Sequence, residues 1–121
     1  MSMRSQNMLI ANGELDQTGL ATRGDGYYGY AGGLHTVGFY LKNFIGRIYV
    51  DASISDNPNE SDWFPIALGD LEYADFESAT TGIETFNIVG NFVYLRAKTK
   101  RSHLNQPASA LGTCEKVVLS L

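Results

Sequence analysis

The stretch Asn43–Ile66, NFIGRIYVDASISDNPNESDWFPI, decides the fold class. From Gly46 to Ile54 its residues alternate: Ile48, Val50, Ala52 and Ile54 fall on one face, and Arg47, Tyr49, Asp51 and Ser53 on the other. A period of two is that of a β-strand with one face buried. A polar loop with one proline follows, and an aromatic–apolar strand opens at Trp63. The stretch reads as scaffold and carries no nucleophile set beside a base.

The same alternation extends outward. His35–Lys42 places Val37, Phe39 and Leu41 inward, and the short Asn43-Phe44-Ile45 link to the next strand predicts a hairpin. Trp63–Leu68 and Leu71–Phe76 read as further strands. Ile83–Val89 and Phe92–Lys98 flank Gly90-Asn91, a two-residue Gly-X turn of the type II′ hairpin kind. A loop from Thr99 to Thr113 leads to a last strand, Glu115–Leu121, with Val117, Leu119 and Leu121 inward. No segment has helical periodicity.

Seven or eight short antiparallel strands separated by turn signals describe an all-β fold, a single β-sandwich or jelly-roll-like domain. That domain is expected over residues 34–121. Residues 1–33 are expected as an extended N-terminal arm and Gly/Tyr-rich loop, whose removal would leave the sandwich folded. Within them Met8–Ala11 is an edge strand or a docking arm. Asn12–Gly33 lacks periodicity, so it either wraps the surface or orders against a partner.

The chain has 121 residues, a formal charge of −4 and thirteen glycines. This length supports one core. The acidic balance repels phosphates and excludes nucleic acid as a partner. Arg96, Lys98, Lys100 and Arg101 form a local basic cluster, expected on a solvated strand face and loop. Cys114 is the single cysteine, so neither an internal disulfide nor a thiolate metal site is available. No apolar run has the length of a signal peptide or a membrane span. The reading is therefore a soluble product made in a cytoplasm, with no membrane partner.

Candidate chemistry is sparse. His35 opens a strand and His103 lies in a polar loop, and neither belongs to a nucleophile motif, so no catalytic residue and no cofactor are predicted. Asp51, Asp56, Glu60 and Asp62, with Asn57 and Asn59 between them, gather hard oxygens of the kind calcium prefers. Their spacing departs from the twelve-residue calcium loop, and Asp-Asn-Pro is also a plain turn. Asp56, Asn59, Asp62 and Trp63 are the residues a glycan or cation loop would use. Trp63 serves there as a stacking platform or as packing. Arg23-Gly24-Asp25 spells an integrin-binding tripeptide and reads as a polar turn. Tyr27, Tyr28 and Tyr30 join apolar area to a hydrogen-bonding tip and suit an interface.

The combination YYGY…GLHTV, NF-x-GRIYVDASI…NP…SDWFPI, F-x-I-x-GNFVYLRAK and G-x-x-EKVVLSL resembles small virion structural proteins of tailed bacteriophages, particularly those infecting marine cyanobacteria. The resemblance spans about residues 27–121. It implies a non-enzymatic particle component, located in the virion and bound to other virion proteins and to copies of itself. Capsid decoration is the first location, with a neck, tail or baseplate adaptor beside it. A second pattern, G-x-I-x-x-x-A-S followed by Pro and D-W-F-x-I, is similar to galactose-binding, discoidin-like sandwiches. It implies an alternative, a carbohydrate-binding module acting as a host-surface adhesin.

Overall fold

In the computed structural model, which describes residues 5–29 and 32–120, the alternating segments form eight antiparallel strands. In order these are β1 (Ser5–Ile10), β2 (Gln17–Thr18), β3 (Thr22–Arg23), β4 (Leu34–Ser53), β5 (Phe64–Pro65), β6 (Ala74–Val89), β7 (Tyr94–Lys100) and β8 (Thr113–Ser120). One helical turn, α1 (Asp25–Tyr28), precedes β4, and three 3-10 turns lie in the loops. The all-β expectation holds, and the helical turns are additions to it. Tyr30 and Leu121 lie outside the described residues.

The architecture is one sheet folded across its middle. β4 runs for most of its length beside β6, from Leu34 opposite Val89 to Ile48 opposite Ala74, and β5 continues that edge at Asp51 and Ala52. Along its other edge it meets two strands in tandem: β8 from Thr36 to Lys42, then β7 from Arg47 to Ser53. The N-terminal segment repeats the pattern one strand out, with β1 on β8 and β2 and β3 on β7. One leaf therefore reads β1-β8-β4-β6. The other contains β2 and β3, β7, the second half of β4, and β5.

The bend is severe. Twenty extended residues span roughly 65 Å. Yet the two ends of β4 pair with Val89 and Tyr94, which five Cα steps hold within about 18 Å of each other. The sheet turns back at Asn43–Gly46, where the β4–β6 register shifts twice, and Asn43 (φ 52°) and Gly46 (φ 142°) take left-handed backbone. A bulge reverses which residues face inward. Before it the inward side chains are odd-numbered (His35, Val37, Phe39, Leu41), and after it the buried apolar ones are even-numbered (Ile48, Val50, Ala52). Without that change the second leaf would offer Arg47, Tyr49 and Asp51 to the core.

Five expectations are corrected here. Asn43–Ile45 makes no hairpin, because the alternation is interrupted by a bulge within one strand. Gly90-Asn91 makes no hairpin either. β6 and β7 lie on opposite edges of β4, and the link between them crosses from one leaf to the other. Leu71–Phe76 and Ile83–Val89 are largely one strand, β6, while Trp63–Leu68 contributes only the two residues of β5. Ile66 N–H still donates to the Val50 carbonyl beyond Pro65, and the strand ends there. Ile54, expected inward, lies past the end of β4 and is exposed.

The core lies between the leaves. Phe39, Phe44, Ile48, Leu95 and Leu119 are fully buried, each contributing about 1.5–3 kcal/mol by leaving water. Phe76 meets Phe39 and Phe44 edge-on, with ring centroids 6.5 and 5.8 Å away. The expected N-terminal arm is stitched into this structure. Met8 and Leu9 belong to the core, and Leu20 N–H donates to the Met8 carbonyl, joining the two leaves along that side.

Candidate functional site

At the crease of the fold, Arg101 collects the backbone of two segments. Its guanidinium donates to the carbonyls of Leu111 (3.1 Å), Gly112 (2.7 Å), Leu15 (3.5 Å) and Glu14 (3.4 Å), and lies 5.0 Å from the Phe44 ring centroid. Its own N–H donates to Asp16, which also accepts from the N–H and hydroxyl of Ser102. The Ser102 hydroxyl, with help from these backbone donors and against partial desolvation, lowers the Asp16 pKa. Arg101 is buried, contrary to the solvated position expected of it. A Cβ on Gly46 would collide with its side chain, so the glycine makes room for the arginine. Cys114 lines the adjacent cavity of about 230 Å³, and burial pushes its thiol up to about 12. A thiol so placed is no nucleophile at neutral pH. This centre is a pin for the fold.

His35 is also structural. It is fully buried, donates from Nδ1 to the Gly33 carbonyl (3.1 Å) and accepts at Nε2 from the Asp25 N–H (3.1 Å). Those partners specify the neutral Nδ1–H tautomer. The Asp25 carboxylate accepts from Gly33 N–H at 2.8 Å and is itself buried, so the Arg23-Gly24-Asp25 tripeptide does not display its acid. α1 presses onto the β6–β7 crossover, where Gly24 and Gly26 bring backbone close to Phe92.

The outer surface of the second leaf is charged and aromatic. Asp51, 3 % exposed, pairs with Lys98 Nζ at 3.0 Å and with Arg96 Nε at 3.6 Å, close enough for an ion pair and too far for a hydrogen bond. Arg96 also grips Glu60 through two 3.1 Å hydrogen bonds and stacks 4.3 Å over Trp63. The Glu60 hydrogen bonds raise the Arg96 pKa, and the same contact lowers that of Glu60. Lys98 lies over Tyr49, Tyr49 meets Tyr73 at 5.2 Å, and Arg47 lies over Tyr73. The cations of this stripe are already partnered by carboxylates and rings.

That arrangement places the residues of the expected glycan or cation loop. Trp63 has a guanidinium against its ring. Asn59 and Asp62 close a capping box on each other, with Asn59 N–H donating to Asp62 at 2.8 Å. Asp56 is exposed. Among the described residues, no three His, Cys, Asp or Glu side chains are grouped to hold a metal ion. Tyr27 and Tyr28 meet edge-on at 5.3 Å, and Tyr27 touches Tyr94 and carries Arg23 at 4.5 Å over its ring. Tyr27 is exposed and Tyr28 half-buried.

The outer surface of the first leaf is of the opposite kind, and sequence reading missed it. Register places Leu34, Thr36, Gly38 and Tyr40 of β4 beside Val89, Asn87, Thr85 and Ile83 of β6, and beside Ser120, Val118 and Lys116 of β8. Lys116 is the charge within this set, lying 4.7 Å over the Tyr40 ring, and exposed Lys42 ends the row opposite Thr113. Ile83, Leu34 and Val89 are 58 %, 56 % and 74 % exposed. An outward sheet face this poor in charge is unusual for a surface that meets only water. The available signal was TGIETFNIV, whose outward positions are β-branched or amide residues.

Scans of family models, of curated proteins and of solved structures each return no match to this chain. The phage resemblance accordingly stands on the residues quoted for it.

Proposed function

We propose that this protein is a non-enzymatic virion structural component of a tailed bacteriophage, assembling with copies of itself and with other particle proteins. Capsid decoration is the leading location, and a neck, tail or baseplate adaptor is the next. The observation that carries the assembly reading is the outer face of the first leaf, broad, almost uncharged and studded with exposed Ile83, Leu34 and Val89. Such a surface is stabilised when a neighbour covers it. The groups that chemistry would use are committed elsewhere: His35 to backbone partners, Cys114 to the core, and Asp51 to two cations.

The reading predicts that mass spectrometry of purified particles finds the chain at fixed stoichiometry, and that gold-labelled antibody decorates one repeating position. Particles that lack the chain would sink the proposal. A glycan array is the matching control for the carbohydrate-binding alternative. Saturable binding abolished by Trp63→Ala would favour that alternative over the particle reading.

A further inference from the structure

We infer that the open edge of β6 pairs with the same edge of a second copy, joining two first leaves into one continuous sheet. This deepens the assembly reading and rests on it. Among the described residues, β6 hydrogen-bonds to β4 alone, while the N-terminal edge of the sheet closes on itself through Met8 and Leu20. The backbone groups along the other side of β6 are thus offered to a further strand.

Edges left to water are ordinarily blunted by lysine, proline, a bulge or an inward-pointing charge. Ile83–Val89 contains no proline and no basic residue, and its register with Leu34–Tyr40 runs without a shift. Its single charge, Glu84, is on the inward side opposite Phe39 and is the one such device in the segment.

The occupant follows from how the segment matches itself. A two-fold axis at Phe86 overlays all of Ile83–Val89 on its antiparallel copy. On the outer side Ile83 then faces the second copy's Val89, so the two most exposed apolar side chains of the segment cover each other. Thr85 faces Asn87. On the inner side Phe86 meets its own copy beside Phe39, whose ring lies 5.6 Å away within one chain. Glu84 faces Ile88, so no carboxylate opposes another. An isologous contact requires this reciprocity, with residue i meeting j and j meeting i. A foreign strand with basic side chains would find only Glu84 to pair with.

The test is sedimentation equilibrium on the purified full chain, with two double variants of equal surface polarity. In Ile83→Lys/Val89→Lys, like charges oppose each other twice across the axis. In Ile83→Lys/Val89→Glu, opposite charges meet twice. The wild type is expected to form a concentration-dependent dimer. The Lys/Lys variant should weaken it about tenfold or more relative to Lys/Glu.

A wild type that stays monomeric, or two variants that dissociate alike, overturns the pairing. Hydrogen exchange gives a readout without substitution: amides of Ile83–Val89 should slow as protein concentration rises. Unchanged exchange there also overturns it. A monomer found at fixed stoichiometry in particles would reject the edge pairing and keep the particle reading; a dimer absent from particles would do the reverse.

Discussion

At the scale of single residues, the crease depends on Arg101. Arg101→Ala removes the donors for four backbone carbonyls and is expected to cost roughly 3 kcal/mol or more in urea unfolding. Arg101→Lys should rescue little, since an ammonium has three donors and no planar fork. Exposed His103→Ala, on the neighbouring turn, should stay within about 0.5 kcal/mol of wild type. Asp16 gives the site an acid dependence. Its folded pKa lies below the unfolded value, so its contribution is present above about 3.9 and is lost as pH falls through the folded pKa. Asp16→Asn should therefore be less stable than wild type at pH 7, and the gap should narrow in titrations carried into the acid. The Cys114 thiol should resist alkylation at pH 8 in the folded chain and react once urea exposes it. None of this could be read from the run of charges at 96–101. Arginine in a loop is usually solvated, and only the approach of Glu14–Leu15, Leu111–Gly112 and the Phe44 ring turns Arg101 inward.

At the scale of elements, β4 shows what alternation does and does not convey. Val37, Phe39 and Leu41, and then Ile48, Val50 and Ala52, were legible as two inward rows, and both are buried. The change of parity between them has two local explanations, a turn or a bulge, and they differ only in which distant strand pairs next. Gly90-Asn91 fails for the same reason. A turn signal reports that the chain changes course, whereas the partner strand is chosen by burial far away in sequence. The bulge itself can be tested. Gly46→Ala places a Cβ into Arg101 on left-handed backbone and should destabilise the chain by about 2 kcal/mol or more, with Gly82→Ala as a comparison. Gly82 also has positive φ, but a Cβ there meets nothing within 4 Å, so the difference between the variants isolates the collision.

At the scale of the whole molecule, the two leaves share one core but meet their surroundings differently. The second leaf is sealed by its own ion pairs and cation–ring contacts. The first leaves β-branched side chains and a strand edge without cover. Composition concealed this asymmetry, because charge averaged over the chain says nothing of how it divides between two faces. The N-terminal 33 residues illustrate the converse. Their glycines and lack of period suggested an arm, yet short pieces of them pair with β8 and β7 and supply Met8 and Leu9 to the core. A chain beginning at Leu34 is expected to lose cooperative unfolding, as followed by circular dichroism; a sharp transition near that of wild type would contradict this assignment.

The place of β8 has a consequence for synthesis. It is the last of the eight strands to leave the ribosome, yet it occupies the slot between β1 and β4. Until it arrives, Val37, Phe39 and Met8 have lost one wall of their packing, and two long strands offer unsatisfied edges to one another and to other nascent chains. Pairs such as Thr36 with Ser120 close very long loops, a topology that folds slowly. The interval between translation and closure is thus when this chain is most exposed to misassembly. A chaperone that holds β4 during that interval would act before any particle contact is made.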